Sequence, residues 1–246
     1  MIVNSSVEGL HIIFHEAHGL LAGKIANQIH EKYRPPHWFE TLIAVCEHDD
    51  RQLNFDEKDY LSDIGAPLDF TEEHSSVNDI MIRMKRILKA ATNKSLWTKL
   101  LISYHLEFIY GYLREDSARV TNFLNDQIKD REKLLNYFKI SNNQATSYYE
   151  FLRFCDRLSL ILCKNEIPEA GRLLEINTSI DKQTYFIKKD NQEVISISPW
   201  IFKNAAIELS VEERILKEAQ FSSSEKFKSL VMSTVPSVKK WTIKKS

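Results

Sequence analysis

Apolar residues between positions 16 and 165 recur at the spacing of α-helices. In EAHGLLAGKIANQIHEKY, residues 16–33, Leu21, Ile25 and Ile29 fall on one face, which predicts a helix with one buried side. The proline pair that follows should end this helix, because proline has no amide hydrogen and its ring clashes with the preceding turn. The same period predicts five further helices. They span residues 37–49, 76–92, 95–114, 117–139 and 144–164.

Short segments near both ends of the chain are rich in β-branched and aromatic residues, and some alternate between apolar and polar residues, as half-buried strands do. MIVN and LHIIF flank a turn and predict a hairpin, and TYFIKK, EVISIS, AAIELSV and WTIKK predict strands towards the C-terminus. We therefore expect a mainly α protein that forms a single domain over residues 1–246. Its helical body should span about 16–165, with a small antiparallel β-sheet built from about 1–14 and 183–245.

Residues 50–75 follow neither period and are rich in acidic residues, glycine and proline. A loop of this length inside a compact protein is usually functional or disordered. Acidic residues are concentrated here: residues 41–80 contain eleven Asp or Glu against two basic residues. Such a loop could cover a pocket or hold a further cation, and its negative charge argues against an open site for a polyanion.

Global charge and composition exclude several classes of partner. Lys plus Arg (33) nearly balances Asp plus Glu (34), which does not favour nucleic acid or an anionic membrane surface. No apolar run approaches the ~18 residues that span a bilayer, and the N-terminus has no signal-peptide pattern. The three cysteines lack metal-type spacing and lie in apolar stretches. These features predict a cytoplasmic protein with reduced cysteines, and they leave an oligomer open.

Five acidic or imidazole side chains lie on apolar helical faces. His18 begins the face that carries Leu21 and Ile25, and Asp156 lies one turn from Leu152 in the same way. Burying such groups is costly unless each is paired, hydrogen-bonded or metal-bound. A divalent ion held by imidazoles and carboxylates would satisfy them together. The five residues are His18, His48, Asp49, His105 and Asp156.

Each of these residues also has an ordinary structural interpretation. A lone inward histidine, such as His18 or His105, is most often hydrogen-bonded in the core, and a lone inward aspartate most often pairs with arginine. His48 alone could be a cation at a helix C-terminus, which the helix dipole favours. The other histidines are interpreted as structural or surface residues. They are His11, His15, His30, His37 and His74.

The order of a histidine, an adjacent His-Asp pair and a later aspartate resembles the HD superfamily of metal-dependent phosphohydrolases. CDRLSLIL around Asp156 is similar to the closing helix of that superfamily. The resemblance implies an HD-like helical bundle and a metal site formed by His18, His48, Asp49 and Asp156. It also implies a divalent cofactor, which could be Mn, Fe, Mg or Zn.

The chain as a whole resembles domain-of-unknown-function family 3891, a family without an assigned reaction. The resemblance extends over most of the chain, through short segments distributed from residue 18 to residue 202. These segments are HGLLAG (18–23), AVCEHDD (44–50), GAPLDF (65–70), SYHLEF (103–108), FCDRLSL (154–160) and SPWIF (198–202).

The first functional hypothesis is hydrolysis of a small phosphate ester, a nucleotide among the candidates. A bound ion would lower the pKa of water and neutralise charge on phosphorus. Asp49 would orient the water, and His105 would donate to the phosphoryl oxygens or protonate the leaving group. Arg51 or Arg157 would contact the anion. Two alternatives stay open: a non-catalytic module that binds metal or ligand, and a helical interaction protein whose inward polar residues pair with one another.

Overall fold

The computed structural model describes residues 1–245, of which helices hold about half. Serine side chains begin several of these helices: Ser76 and Ser141 each form a capping box with the third helical residue, which satisfies amide groups of the first turn. The helices in this part of the chain are α1 (His15–Gln28), α2 (Trp38–Glu47), α3 (Val77–Lys94), α4 (Leu96–Tyr110), α5 (Ala118–Phe138), α6 (Asn142–Cys163) and α7 (Ser224–Ser233).

One mixed β-sheet unites the two ends of the chain in the order β1-β2-β6-β7-β5-β4-β3. Its pairs are antiparallel except for β5 and β7, which run parallel with Ile195 opposite Ile243. The strands within residues 1–245 are β1 (Ile2–Ser6), β2 (Gly9–Ile13), β3 (Leu174–Thr178), β4 (Thr184–Lys189), β5 (Ile195–Ser198), β6 (Ala206–Leu216) and β7 (Ser237–Lys244).

The prediction of a mainly α, HD-like helical bundle with a small antiparallel sheet is therefore wrong. Helices hold 49% of the residues and strands 20%, and the sheet has seven strands of mixed direction, so it is not the small antiparallel addition to a helical bundle that was expected. The extent of β6 accounts for part of the error. This strand continues beyond Val211, and Glu213 takes the next inward position, where it is buried and lies 3.1 Å from His11. β3 and α7 were not predicted at all.

The helices and the sheet share one large apolar core. Ile25 of α1, Leu158 of α6 and Leu209 of β6 are buried in the same cluster. α1 ends at Gln28 rather than at the predicted residue 33, because Ile29 turns away to bridge Phe202. Within residues 1–245, no helix is both long and apolar enough to cross a membrane.

Two glycines let α1 and α2 approach each other closely. A Cβ atom added to Gly19 would collide with the carbonyl oxygen of Cys46, and one added to Gly23 would collide with its sulfur. These contacts fix the distance between the two helices. As a result, His18 on α1 lies beside His48 at the end of α2.

The acidic loop, residues 50–75, contains no helix or named strand but is anchored to the body of the protein. Leu53 and Tyr60 are buried, and Asp69 accepts a hydrogen bond from the amide of Val3 at 2.9 Å. Several loop side chains form one wall of the cavity described next. The loop thus borders the candidate site.

Candidate metal centre

Side chains from three helices meet at the bottom of a cavity. His18 belongs to α1, His48 follows α2, and Asp156 belongs to α6. The Nε2 atoms of His18 and His48 lie 3.1 Å apart. Oδ1 of Asp156 lies 3.3 Å from Nε2 of His18 and 3.1 Å from Nε2 of His48. All three residues are buried, and their ligand atoms lie within 4.8 Å of one another. We call these residues the acceptor triad.

Hydrogen bonds on the far side of each ring define which imidazole nitrogen carries a proton. His48 Nδ1 lies 2.7 Å from the carbonyl oxygen of Val45 and must donate to it. The hydroxyl of Ser159 donates to the carbonyl of Asp156 at 2.8 Å, so Nδ1 of His18, also 2.8 Å from that hydroxyl, donates to it. Both Nε2 atoms therefore direct lone pairs towards the carboxylate, which is the arrangement that metal-binding histidines show.

Three acceptors thus converge with no donor between them, and such a cluster requires a proton or a cation. Burial lowers the pKa of His48, but the charge of Asp156 outweighs it and raises this pKa to about 9. Burial likewise disfavours the charged carboxylate of Asp156, yet His48 and His18 hold its pKa below the usual range. In the absence of a cation, a proton on His48 relieves the repulsion. A metal ion would replace that proton.

Asp49 lies on the wall of the same cavity but has other partners. Its carboxylate pairs with His15 and with the guanidinium of Arg83, which also donates to the hydroxyl of Tyr110 at 2.7 Å. We call His15, Asp49, Arg83 and Tyr110 the paired network. Although burial opposes ionisation, Arg83 and His15 hold the pKa of Asp49 well below its usual value. The structure does not bring Asp49 into the acceptor triad, and its role as a ligand stays a prediction.

His105 lies in the cavity wall beside the acceptor triad. Its ring centroid is 5.0 Å from that of His48, and its Nδ1 lies 3.3 Å from the hydroxyl of Tyr149. Burial, reinforced by the charge of His48, lowers the pKa of His105 to about 3. The imidazole is therefore neutral at physiological pH and can donate or accept one hydrogen bond at each nitrogen.

The two predicted anion contacts are not brought to the cavity wall. Arg157 follows Asp156 directly, so it points away from the acceptor triad, and it pairs with Glu166 at 3.1 Å. Arg51 is exposed and has a left-handed backbone (φ 67°). Their physical placement gives no support to the predicted role.

Sequence reasoning missed two cavity residues, His15 and Arg83. His15 was interpreted as structural, yet it lies one helical turn before His18 and pairs with Asp49. Arg83 lies one turn after Ile80 and next to Met84, both buried. Its position beside an apolar stripe was the available signal, but a long arginine at such a position usually extends to solvent.

The cavity has a volume of about 250 Å³ and carries an excess of negative charge. Two cations, Lys58 and Arg83, line it together with four carboxylates. With neutral histidines the formal charge of the lining is −2, which a divalent cation cancels. The carboxylates are those of Asp49, Glu73, Asp79 and Asp156.

A family model described as "Protein of unknown function (DUF3891)" matches residues 1–218 of the chain. Searches of curated proteins and of solved structures each found no match. The matched segment includes the whole acceptor triad and the whole paired network. Because the family description names no activity, function must be inferred from the chemistry of these residues.

Proposed function

We propose that this chain, which belongs to the family described as "Protein of unknown function (DUF3891)", is a metal-dependent hydrolase of a small phosphate ester. The observation that carries the proposal is the acceptor triad. Two imidazole lone pairs and a carboxylate oxygen converge within 4.8 Å, and the N–H group of each imidazole donates a hydrogen bond on the opposite side of its ring. A divalent cation is the partner that such a buried set of acceptors fits.

The donor set favours some metals over others. Imidazole suits iron and zinc, carboxylate suits manganese and magnesium, and a mixed set of two imidazoles and one carboxylate is typical of iron, manganese or zinc. Magnesium prefers oxygen ligands and is the poorest fit. His18, His48 and Asp156 would hold the ion, and its two charges would balance the −2 lining of the cavity.

A phosphate ester is the substrate class that we propose for this cavity. The order of ligands along the chain resembles that of HD phosphohydrolases. When bound, a divalent ion supplies Lewis-acid chemistry: it lowers the pKa of a water molecule and offsets the charge that builds up on phosphorus. The remaining contributions come from side chains in the cavity wall.

Two of these side chains have proton-handling roles in the proposal. Asp49 accepts a hydrogen bond from the attacking water and orients it, while His15 and Arg83 hold its carboxylate in place. His105, neutral and buried beside His48, donates an N–H to a phosphoryl oxygen or to the leaving oxygen. Both residues line the cavity that contains the acceptor triad.

A non-catalytic metal-binding module is the second candidate, and one observation favours it. Asp49 is the carboxylate that would act as the general base, yet it already pairs with Arg83, and its pKa is held well below the usual value. A carboxylate that is so acidic is a weak base. In this alternative the acceptor triad would bind metal without turnover.

The compartment is inferred from the cysteines. Cys46, Cys155 and Cys163 are free thiols, and the last two are buried. Unpaired buried thiols are typical of proteins in a reducing compartment. We therefore propose that the protein acts in the cytoplasm on a small phosphorylated molecule.

Metal loading followed by a substrate screen tests the proposal. Protein purified without chelator should be loaded separately with manganese, iron and zinc, and then assayed against nucleotides, sugar phosphates and aryl phosphates for released phosphate. We expect turnover in the wild type and none in His48→Ala. His74→Ala, which replaces an exposed histidine of the acidic loop, is the matched control and should behave as the wild type.

The two readouts separate the hypotheses. Stoichiometric metal without turnover on any ester would support the binding module and reject the hydrolase. Failure to bind any of the three metals would reject both.

A further inference from the structure

Arg83 enters the cavity with unused hydrogen-bond donors. A guanidinium has five N–H groups. Within residues 1–245, Arg83 donates one to Asp49 and one to the hydroxyl of Tyr110. Three N–H groups therefore have no acceptor in that part of the chain, although the charge of the side chain is largely buried.

Tyr110 is also left with an unused donor. Its hydroxyl oxygen accepts from Arg83 at 2.7 Å, and within the described residues its own proton has no acceptor. The ring is buried and lines the same cavity. Arg83 and Tyr110 thus bring N–H and O–H donors that lack an acceptor within the described residues to the lining of the cavity that also contains the acceptor triad.

Lys58, the other cation of the cavity wall, differs in this respect. Its ammonium group donates to Glu73 at 2.6 Å and to Ser75 at 3.0 Å. Two acceptors therefore already engage a group that has three donors. Arg83, by contrast, uses only two of its five.

We propose that Arg83 and Tyr110 form an oxyanion subsite that binds the phosphoryl group of the substrate. The planar fork of a guanidinium matches the oxygens of a phosphoryl group and binds them bidentately. Asp49 and Tyr110 hold Arg83 in place before any ligand binds, so binding costs little conformational entropy of this side chain. This proposal rests on the proposed function, because it assigns the anion contact of the same site.

The charge of the cavity sets the order of binding. Four carboxylates outnumber two cations in its lining, so a free phosphate anion is repelled until a divalent cation has bound. Phosphate should therefore bind tightly only to protein that holds metal. The size of the cavity, about 250 Å³, is sufficient for a phosphoryl group but small for a complete nucleotide.

Calorimetric titration with inorganic phosphate tests the subsite directly. The full chain loaded with Mn²⁺ is compared with Tyr110→Phe, which removes one donor and preserves the Arg83–Asp49 pair. A hydrogen bond to a charged group is worth about 1.5–3 kcal/mol, so Tyr110→Phe should weaken phosphate binding by about tenfold or more. Arg83→Lys, which preserves the charge but loses the fork, should weaken it by about tenfold as well.

Two control variants share the helices of the tested residues. Arg86→Lys changes the next arginine of α3, which pairs with Glu57 outside the cavity. Tyr104→Phe changes a tyrosine of α4 whose hydroxyl donates to Asn142. Both should bind phosphate as the wild type does.

The outcomes distinguish this proposal from the proposed function. Metal binding and turnover with unchanged phosphate affinity in both Tyr110→Phe and Arg83→Lys would overturn the subsite and leave the hydrolase standing. Phosphate binding that weakens in both variants without any turnover would support the subsite and reject the hydrolase. Absence of phosphate binding to the metal-loaded wild type would also overturn the subsite.

Discussion

The acceptor triad and the paired network occupy one cavity and use the same kinds of side chain, yet their electrostatics are opposite. In the paired network, Asp49 has a guanidinium partner in Arg83 and a second partner in His15. In the acceptor triad, Asp156 faces two imidazoles whose protons are engaged on the other side of each ring. The first cluster is neutralised by side chains of the chain itself, whereas within residues 1–245 no Lys or Arg pairs with Asp156 in the second.

This difference separates a buried carboxylate that a guanidinium of the chain neutralises from one that depends on a proton or a cation. A buried charge is tolerated when it is paired and hydrogen-bonded, and Asp49 meets that condition without metal. Asp156 meets it only through a proton on His48 or through a bound ion. Burial of a histidine or an aspartate is therefore a weak indicator of a metal site, while the direction of the remaining lone pairs is a strong one.

The largest expected effect is on metal affinity, and it should differ between Asp156 and Asp49. Asp156→Asn removes the anionic ligand of the acceptor triad and should weaken Mn²⁺ binding by about 100-fold or more, with loss of turnover. Asp49→Asn should abolish turnover but change metal affinity far less, because Asp49 is occupied by Arg83. Calorimetry of both variants measures this contrast. Equal losses of metal affinity would show that Asp49 is a fourth ligand.

The next effect is on stability. Arg83→Met leaves the buried carboxylate of Asp49 without its main counter-charge, which should lower the free energy of unfolding by about 3 kcal/mol. Combining it with Asp49→Asn should recover most of that loss, since no charge then remains unpaired. Urea unfolding of the two variants provides the measurement, and Arg86→Met serves as the control. Additive losses in the double variant would contradict the pairing of Asp49 with Arg83.

His105 gives a smaller effect that is confined to the chemical step. His105→Gln should lower kcat by about 100-fold, the usual contribution of a positioned proton donor, while metal remains bound. Metal content and kcat should be measured on the same preparation. An unchanged kcat would mean that His105 only fills the core.

The smallest effect concerns the partner of His18. Ser159→Ala removes the acceptor that orients Nδ1 of this histidine and should weaken metal binding by about tenfold. Ser103→Ala is a matched control, because the hydroxyl of Ser103 is equally buried and also donates to a carbonyl three residues earlier, in α4, without touching a histidine. If both variants bind metal alike, the orientation of His18 does not depend on Ser159.

Much of the acceptor triad could be predicted from the sequence because helical periodicity is local. An imidazole or carboxylate on an apolar face can be recognised without knowledge of the fold, and this reasoning selected His18, His48 and Asp156 together with Asp49 and His105, which lie outside the triad. What the pattern could not supply was the pairing of Asp49 with Arg83, which lie 34 residues apart.

The sheet was underestimated for a related reason. Strand pairing is a long-range property, and a strand with a charged residue at an inward position loses the alternation that reveals it. Glu213 in β6 is such a residue, and its buried position beside His11 becomes clear only in the folded chain. β3 is short and has an irregular register against β4, so its pattern is weak as well.

Metal analysis of the purified protein tests the central claim most directly. We expect about one equivalent of manganese, iron or zinc per chain in the wild type, and loss of that metal in His18→Ala, His48→Ala and Asp156→Ala. The exposed-histidine variant His74→Ala should retain it. A wild type without metal after loading with each of the three ions, or triad variants that bind metal as the wild type does, would contradict the account.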